Sequence, residues 1–346
     1  MAGWHLHRDQ ALKRGRLAVT LGDPRGIGPE ITAAALARAR SGAAGGGEQG
    51  FETVIVGPAM PEPLERKLVA LGDRELIGEW HDPTAGTGAN TTEPDPAEAA
   101  AGRLSALSVE RAVDLALSGQ ADGVVTAPLS KNAISAAGWN FPGHTELMQH
   151  RTRSDEAVMI MAAEETPLGG PLRMALLTTH IPLRAVADTV TEELIVCKTL
   201  VTAEALRRWW GVERPRILFA GMNPHCGEGG MFGTEEHEVF EPALAKLSGR
   251  DDLTVAGLLP GDTVYLAALR GDADLVITPY HDSGLAVLKT VARDTGVNVT
   301  AGLPFPRTSP DHGTAFDIAG TGTANPGAMT AAVELCLRFV RSETRP

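Results

Sequence analysis

Three histidines in this chain share one local pattern. Arg173–Leu177 runs into Thr178-Thr179-His180, and Ile217–Ala220 runs into Asn223-Pro224-His225. Leu275–Thr278 breaks at Pro279 and delivers His281 and Asp282. Each apolar run reads as a buried parallel strand that ends just before an imidazole. In open α/β sheets ligands bind beyond the carboxyl ends of the strands. Three imidazoles brought there from distant segments could hold one divalent metal and leave a position open for substrate. A single histidine at a strand end is more often a structural hydrogen-bonding group, and only the repetition of the pattern favours a shared metal. The three lack the short spacing of HExxH, so spacing alone does not bring them together.

The candidate cations are Lys289, on the carboxyl side of His281, and Arg307, on the carboxyl side of Asn298. Lys289 follows Leu285, Val287 and Leu288, and Arg307 follows Leu303-Pro304-Phe305-Pro306. A guanidinium grips phosphate or carboxylate with two bonds, an ammonium with a point charge. Cations in apolar loops of an acidic chain suggest an anion pocket; surface ion pairs are the plain alternative. The polar, glycine-punctuated stretch after Gly123–Thr126 carries Lys131, His144, Thr145 and Glu146, with Pro142-Gly143 turning the chain before His144. Glycines crowd around Glu228 in Asn223–Glu235, which implies unusual backbone dihedrals or a close ligand. Cys226 beside His225 could be a soft ligand or a nucleophile, but without a Cys/His/Asn pattern it reads as a small buried filler. In His312–Pro326, HGTAFDIAGTGTANP, glycine turns surround Asp317, whose carboxylate could accept ribose hydroxyls. Near the amino end, GDPRGIGPEI opens a helix and could seat an anion, but it matches neither GxGxxG nor a P-loop. His5, His7, His81 and His237 lie in polar or terminal stretches and read as solvent-exposed.

Positioning these groups requires alternating strands and helices. Predicted strands are Arg16–Leu21, Thr53–Val56, Gly123–Thr126, Ala157–Met161, Arg173–Leu177, Ile217–Ala220, Leu253–Leu258, Leu275–Thr278 and Val297–Thr300. Predicted helices include Glu30–Arg40, one beginning within Pro58–Leu71, one with Val109, Val113, Ala116 and Leu117 on a face, Thr191–Trp209, Gly233–Leu247 and Pro326–Val340. Ser41–Gly50 reads as a low-complexity loop, residues 82–97 as an irregular crossing, and Gly302–Gly320 as a loop. The alternation predicts a mostly parallel sheet covered on both faces. With 346 residues, 43% of them hydrophobic, the chain can bury a substantial core. A formal charge of −12 argues against nucleic acid or an anionic membrane as the main partner. Three cysteines without a CxxC pair fit a reducing compartment, and no run is long enough to span a bilayer. A cytoplasmic location is expected.

The motifs GDPRGIGPE, TAPLSK, FPGHTE, TTHIPLRAV, GMNPHCGEGGMFGTEE, YHDSGLAVLK, GVNVTAGLPFPRTSPDHGTA and DIAGTGTANP occur in this order. Together they resemble the 4-hydroxythreonine-4-phosphate dehydrogenase family of pyridoxal phosphate biosynthesis, over roughly residues 16–340. The resemblance implies an isopropylmalate-dehydrogenase-like α/β/α fold of two lobes, with the active-site cleft between them. Residues 1–130 with 300–346 would form the cofactor-side lobe, and 131–299 the metal, substrate and dimerisation lobe. It implies a homodimer with a shared active site, in which His180, His225 and His281 bind zinc, magnesium or cobalt, His281 coming from the other subunit. His144, Thr145, Lys289, Asn298 and Arg307 would hold the substrate and its phosphate. Asp262 would lie near the metal; no base is identified by the sequence, and Lys289, Asp262 or water could serve the catalytic proton. NAD would rest against His312, Asp317, Ile318 and Asn325. The implied reaction is metal- and NAD-dependent oxidation, with decarboxylation, of 4-phosphohydroxy-L-threonine to 3-amino-2-oxopropyl phosphate. Relatives acting on 4-phosphoerythronate or threonate 4-phosphate keep much the same motifs; a cis-dihydrodiol dehydrogenase or a non-redox metal enzyme fits less well. Ser283 stands where the family usually has Gln, which bears on the choice of substrate.

Overall fold

The computed structural model describes residues 15–43, 50–80 and 96–343. His5, His7, His81 and most of the Ser41–Gly50 and 82–97 stretches lie outside the described residues. Eleven strands follow in chain order: β1 Arg16–Thr20, β2 Glu52–Ala59, β3 Asp73–Glu79, β4 Gly123–Thr126, β5 Val158–Ala163, β6 Leu172–Leu176, β7 Arg216–Ala220, β8 Thr254–Leu259, β9 Leu275–Thr278, β10 Val297–Ala301 and β11 Arg307–Pro310. They form one sheet in the order β3-β2-β1-β4-β11-β10-β5-β6-β9-β7-β8. The ladders β11–β10, β10–β5 and β5–β6 are antiparallel and the rest parallel. Three successive reversals point the block β6-β9-β7-β8 opposite to β3-β2-β1-β4-β11. The two parallel blocks therefore open at opposite ends, and only the antiparallel centre is common to both.

Side-chain alternation along the strands assigns the two faces. Leu17, Val19, Ile55, Val125, Val158, Ile160, Ile217, Ile277, Val297 and Val299 enter one continuous core, closed by helices Gly28–Ala43, Glu192–Trp210 and Gly327–Glu343. The opposite face is covered in two separate clusters. One joins Ala18, Val54 and Val124 to helix Pro96–Leu117; the other joins Met161, Met174 and Val276 to helices Val264–Leu269 and His281–Ala292. This is the expected α/β/α arrangement, with one face split over the centre of the sheet.

The differences from the sequence reading have local causes. β3 was missed because Asp73–Glu79 is polar and largely exposed at the sheet edge. β11 was read as loop because its flanking prolines mask a four-residue strand. Lys289 and Arg307 are accordingly not loop residues: one is helical, the other begins a central strand. The polar stretch after β4 folds into two short helices, Lys131–Ala136 and His144–Thr152. The first of these packs on helix Pro96–Leu117 where Gly102 allows contact; a Cβ there would stand 1.9 Å from the Ala133 carbonyl oxygen. Backbone cannot yield as a flexible side chain can. Gly102→Ala is therefore expected to destabilise the protein by about 2 kcal/mol, lowering Tm by about 3 °C. An unchanged melting curve would refute that close packing.

Candidate active site

The split face leaves a cavity of about 330 Å³ floored by the central strands. On β10 and β11 the residues alternating with core positions, Asn298, Arg307 and Ser309, face it, together with Met159 of β5 and Thr126 of β4. Arg307 is 1% exposed. Its guanidinium donates to Thr126 Oγ1 at 2.6 Å and to Thr300 Oγ1 at 2.9 Å, while its Nε has no partner. Burial brings its pKa down to about 10.

Helix His281–Ala292 crosses above this floor. His281, Leu285 and Lys289 recur every four residues and present one helical face to the cavity. Lys289 Nζ lies 3.7 Å from Asp311 Oδ2, whose carboxyl is pushed up by burial. Ser283 turns away: its hydroxyl donates to the Tyr280 carbonyl at 2.7 Å and lies 2.9 Å from Thr278 Oγ1. The amino end of helix His144–Thr152 closes another side with His144, Thr145 and Glu146. Burial, with the positive charges of Arg307 and Lys131, holds the His144 pKa well below its usual value, so its imidazole is neutral near pH 7.

His180, His281 and His225 follow β6, β9 and β7, which are neighbours in the sheet and run in the same direction. His180 and His281 meet, with ring centroids 5.5 Å apart, and both line the cavity. His225 does not. It sits 6.5 Å from the Phe232 ring, on a segment where every residue from His225 to Gly230 has positive φ. The Glu236 carboxylate ties that segment down, accepting from the Met222 and Asn223 amides at 2.7 Å each. Asp262 is exposed and also outside the cavity lining; its charge, after burial and Glu236, helps raise the Cys226 thiol pKa. Within one chain, then, no three His, Cys, Asp or Glu side chains among the described residues form a metal-binding group.

The two imidazoles present nonetheless suit a metal. His180 has its pKa lowered by burial, Lys131 and His281, which keeps a ring lone pair available. His281 Nδ1 is held by Asp282 Oδ1 at 2.6 Å, the carboxylate–imidazole pairing that orients a ligand through its other nitrogen. They are one short of the usual three ligands.

The segment His312–Asn325 begins in this cavity and runs into a second, of about 650 Å³. Ala319–Gly322 lines the second cavity with Pro24–Gly26, Glu30, Lys67 and Trp80. The Ile27 amide donates to the Thr314 carbonyl at 2.9 Å, so the amino-terminal glycine turn and this segment are one unit. Buried His312 Nε2 in the first cavity and Glu30 Oε1 in the second have no partner. An elongated ligand with polar groups along its length, such as a dinucleotide, fits that pairing. Asp317 and Ile318 lie on a short turn, Asp317 exposed, and Asn325 Oδ1 accepts from the Gly327 amide.

Sequence reasoning notes Lys131 in the polar stretch after β4 but assigns it no role, and it passes over Asp311 and Ser309, although SPDHG carries both. For Lys131 the cue is a polar residue past an apolar strand, the same cue that marks the histidines; Ser309 lies within the polar strand RTSP and Asp311 follows it, so neither carries that cue.

The chain matches the family model described as pyridoxal phosphate biosynthetic protein PdxA over residues 74–336. It is 40% identical over 333 residues to a 4-hydroxythreonine-4-phosphate dehydrogenase of Burkholderia vietnamiensis, covering 94% of this chain and 97% of that protein. To a D-threonate 4-phosphate dehydrogenase of Pectobacterium atrosepticum it is 37% identical over 337 residues, covering 93% and 98%. Among solved structures, a 4-hydroxythreonine-4-phosphate dehydrogenase from Klebsiella pneumoniae superposes with a TM-score of 0.74 at 36% identity, covering 94% of this chain and 99% of that one. Likeness of this extent, over both cavities and the sheet that floors them, places the chain in the PdxA family of dehydrogenases, and it is an oxidoreductase.

Proposed function

We propose that this chain oxidises and decarboxylates 4-phosphohydroxy-L-threonine to 3-amino-2-oxopropyl phosphate, using NAD and a divalent cation. The observation that carries this reading is the cavity itself: Arg307, Lys131 and Lys289 surround about 330 Å³, with unpaired polar atoms on His144, Asn298, Arg307 and His312. Buried polar groups without partners are costly: the His144, Arg307 and His312 nitrogens can donate to a polyanionic small molecule, and Asn298 Oδ1 can accept from a hydroxyl or ammonium on it. Arg307, neutral His144, Thr145 and Asn298 would hold the phosphate. Lys289, placed between substrate and Asp311, is the group best placed to take and return a proton at Nζ. His180, His225 and His281 would hold zinc, magnesium or cobalt, and His312 with the Asp317 turn would hold NAD. When bound, the cation polarises the substrate hydroxyl as a Lewis acid and NAD accepts the hydride.

Because His225 stands apart from the other two histidines, we propose a homodimer in which a second copy completes the site. Exposed Met231 and Phe232, 74% and 49% accessible beside His225, are the apolar surface such a copy would cover. Residues 1–130 with 300–346 would form the cofactor-side lobe, 131–299 the metal and dimerisation lobe, and the enzyme would act in the cytoplasm; among the described residues no helix is long and apolar enough to cross a membrane.

A second substrate, a sugar-acid phosphate such as threonate 4-phosphate or 4-phosphoerythronate, is favoured by Ser283, whose short side chain bonds Tyr280 and Thr278 and does not line the cavity. NADH formation would be followed with each substrate, with divalent metal and again with chelator. Metal-dependent turnover chiefly on the amino acid is expected. Preference for a sugar-acid phosphate would move the enzyme to that substrate, and no NADH from any of them would end the reading.

A further inference from the structure

The cavity's three cations are not equivalent. Lys289 faces the Asp311 carboxylate at 3.7 Å, and Arg307 is anchored on the Thr126 and Thr300 hydroxyls. Lys131 has neither kind of partner. Its Nζ lies 3.3 Å from His180 Nε2, and among the described residues it makes no ion pair within 4.0 Å. Since an ammonium can only donate, His180 Nε2 must accept, with its ring proton on Nδ1. The lone pair that Lys131 occupies is therefore the one a metal would need on the cavity side.

We propose that Lys131 is a substrate-anion ligand held in reserve on His180 and released when a divalent cation takes that nitrogen. Ammonium and metal cannot share one lone pair, so binding of the cation displaces the amine. Two positive groups would also repel each other at that distance, which drives Lys131 away from the metal. Four carbons of flexible stem let it swing within the cavity it already lines, beside Gly143 and His144. Released there, on the wall it shares with the Glu146 carboxylate, it adds a third cation for a phosphate or carboxylate of the incoming substrate. The order of events follows: cation first, then substrate, since only the metal-loaded chain offers the third cation. This rests on the metal and substrate assigned above.

The test is Lys131→Met, with Lys131→Arg beside it. Lys131 is exposed at the first residue of its short helix, so methionine is accommodated without burying a charge. Calorimetric titration of chelator-stripped protein with zinc chloride, without substrate or NAD, reads the competition directly. Zinc should bind Lys131→Met about three- to tenfold more tightly than wild type, because no amine has to leave. In turnover assays KM for 4-phosphohydroxy-L-threonine should rise roughly tenfold or more, with kcat changed much less and KM for NAD unchanged. Lys131→Arg should restore most of the substrate affinity. Unchanged zinc affinity in Lys131→Met would overturn the displacement, and unchanged substrate KM would overturn the anion-ligand role. If the wild-type chain turned over none of the phosphorylated hydroxy acids, the functional reading would fail while the zinc titration still decided the Lys131–His180 competition.

Discussion

Arg307→Met is expected to lower kcat/KM by two to three orders of magnitude while leaving Tm unchanged or raising it. The activity loss follows from removing a fully buried, charge-assisted donor at the proposed anion site; truncating such a partner costs about 3–4 kcal/mol, on the order of a hundred- to a thousandfold. The stability half has the opposite sign. Burial lowers the Arg307 pKa from 12.5 to about 10, so the folded chain holds that proton less tightly than the unfolded chain. For a base with a depressed folded pKa the cost to the native state is fully present below the folded value. It fades only as pH rises from 10 toward 12.5. At neutral pH the native state thus carries a cost of about 3 kcal/mol for this cation. Methionine removes that cost and fills similar volume, but leaves the Thr126 and Thr300 hydroxyls without their donor, which offsets part of the gain. Steady-state kinetics and thermal melts on the same preparation check both halves. A fall in Tm of several degrees with unaltered substrate KM would make Arg307 a structural residue.

The second large effect concerns the proposed metal ligands. Alanine at His180, His225 or His281 is expected to reduce NADH formation by at least about a thousandfold, as losing a ligand to a Lewis acid should. His225 makes the result informative, because it stands outside the cavity lining of its own chain. If two copies share each site, mixing inactive His225→Ala and His281→Ala chains should restore activity. Half the dimers would be mixed and each would hold one intact site, giving about a quarter of wild-type activity. Mixing His180→Ala with His281→Ala then decides between two pairings. Recovery would mean that His281 serves the partner, as the family resemblance implies; no recovery would mean that His180 and His281 act together within one chain, as their 5.5 Å separation suggests. Failure of both mixtures would exclude a shared site.

The strand–histidine pattern was legible because it is local. An apolar run, a proline or glycine break and an imidazole lie within a few residues, so chain order alone put His180, His225 and His281 at the ends of strands that the sheet then made neighbours. Gly123–Thr126 and Leu275–Thr278 were bounded correctly for the same reason: both are wholly buried apolar runs ending at a proline-containing turn. Helix His281–Ala292 was not recognised, since its apolar positions Leu285 and Leu288 were read as context for Lys289 and not as one helical face. Family membership, too, was carried by contiguous motifs.

Direction and distance belonged to the tertiary structure. That β6, β9 and β7 oppose β4 and β11 depends on three antiparallel ladders between segments more than a hundred residues apart in the case of β5 and β10. Those reversals moved the cavity from the end of one parallel block onto the face of the central strands. There Arg307, read as a loop cation, became a buried group bonded to Thr126 across 181 residues of chain. The meeting of Lys131 with His180 and the separation of His225 arise likewise from packing and from left-handed backbone at His225–Gly230. Sequence determined which chemical groups this protein has and which strands carry them. Only the folded chain decided which of them meet, because contact depends on strand direction and register summed over the whole sheet, which no single segment encodes.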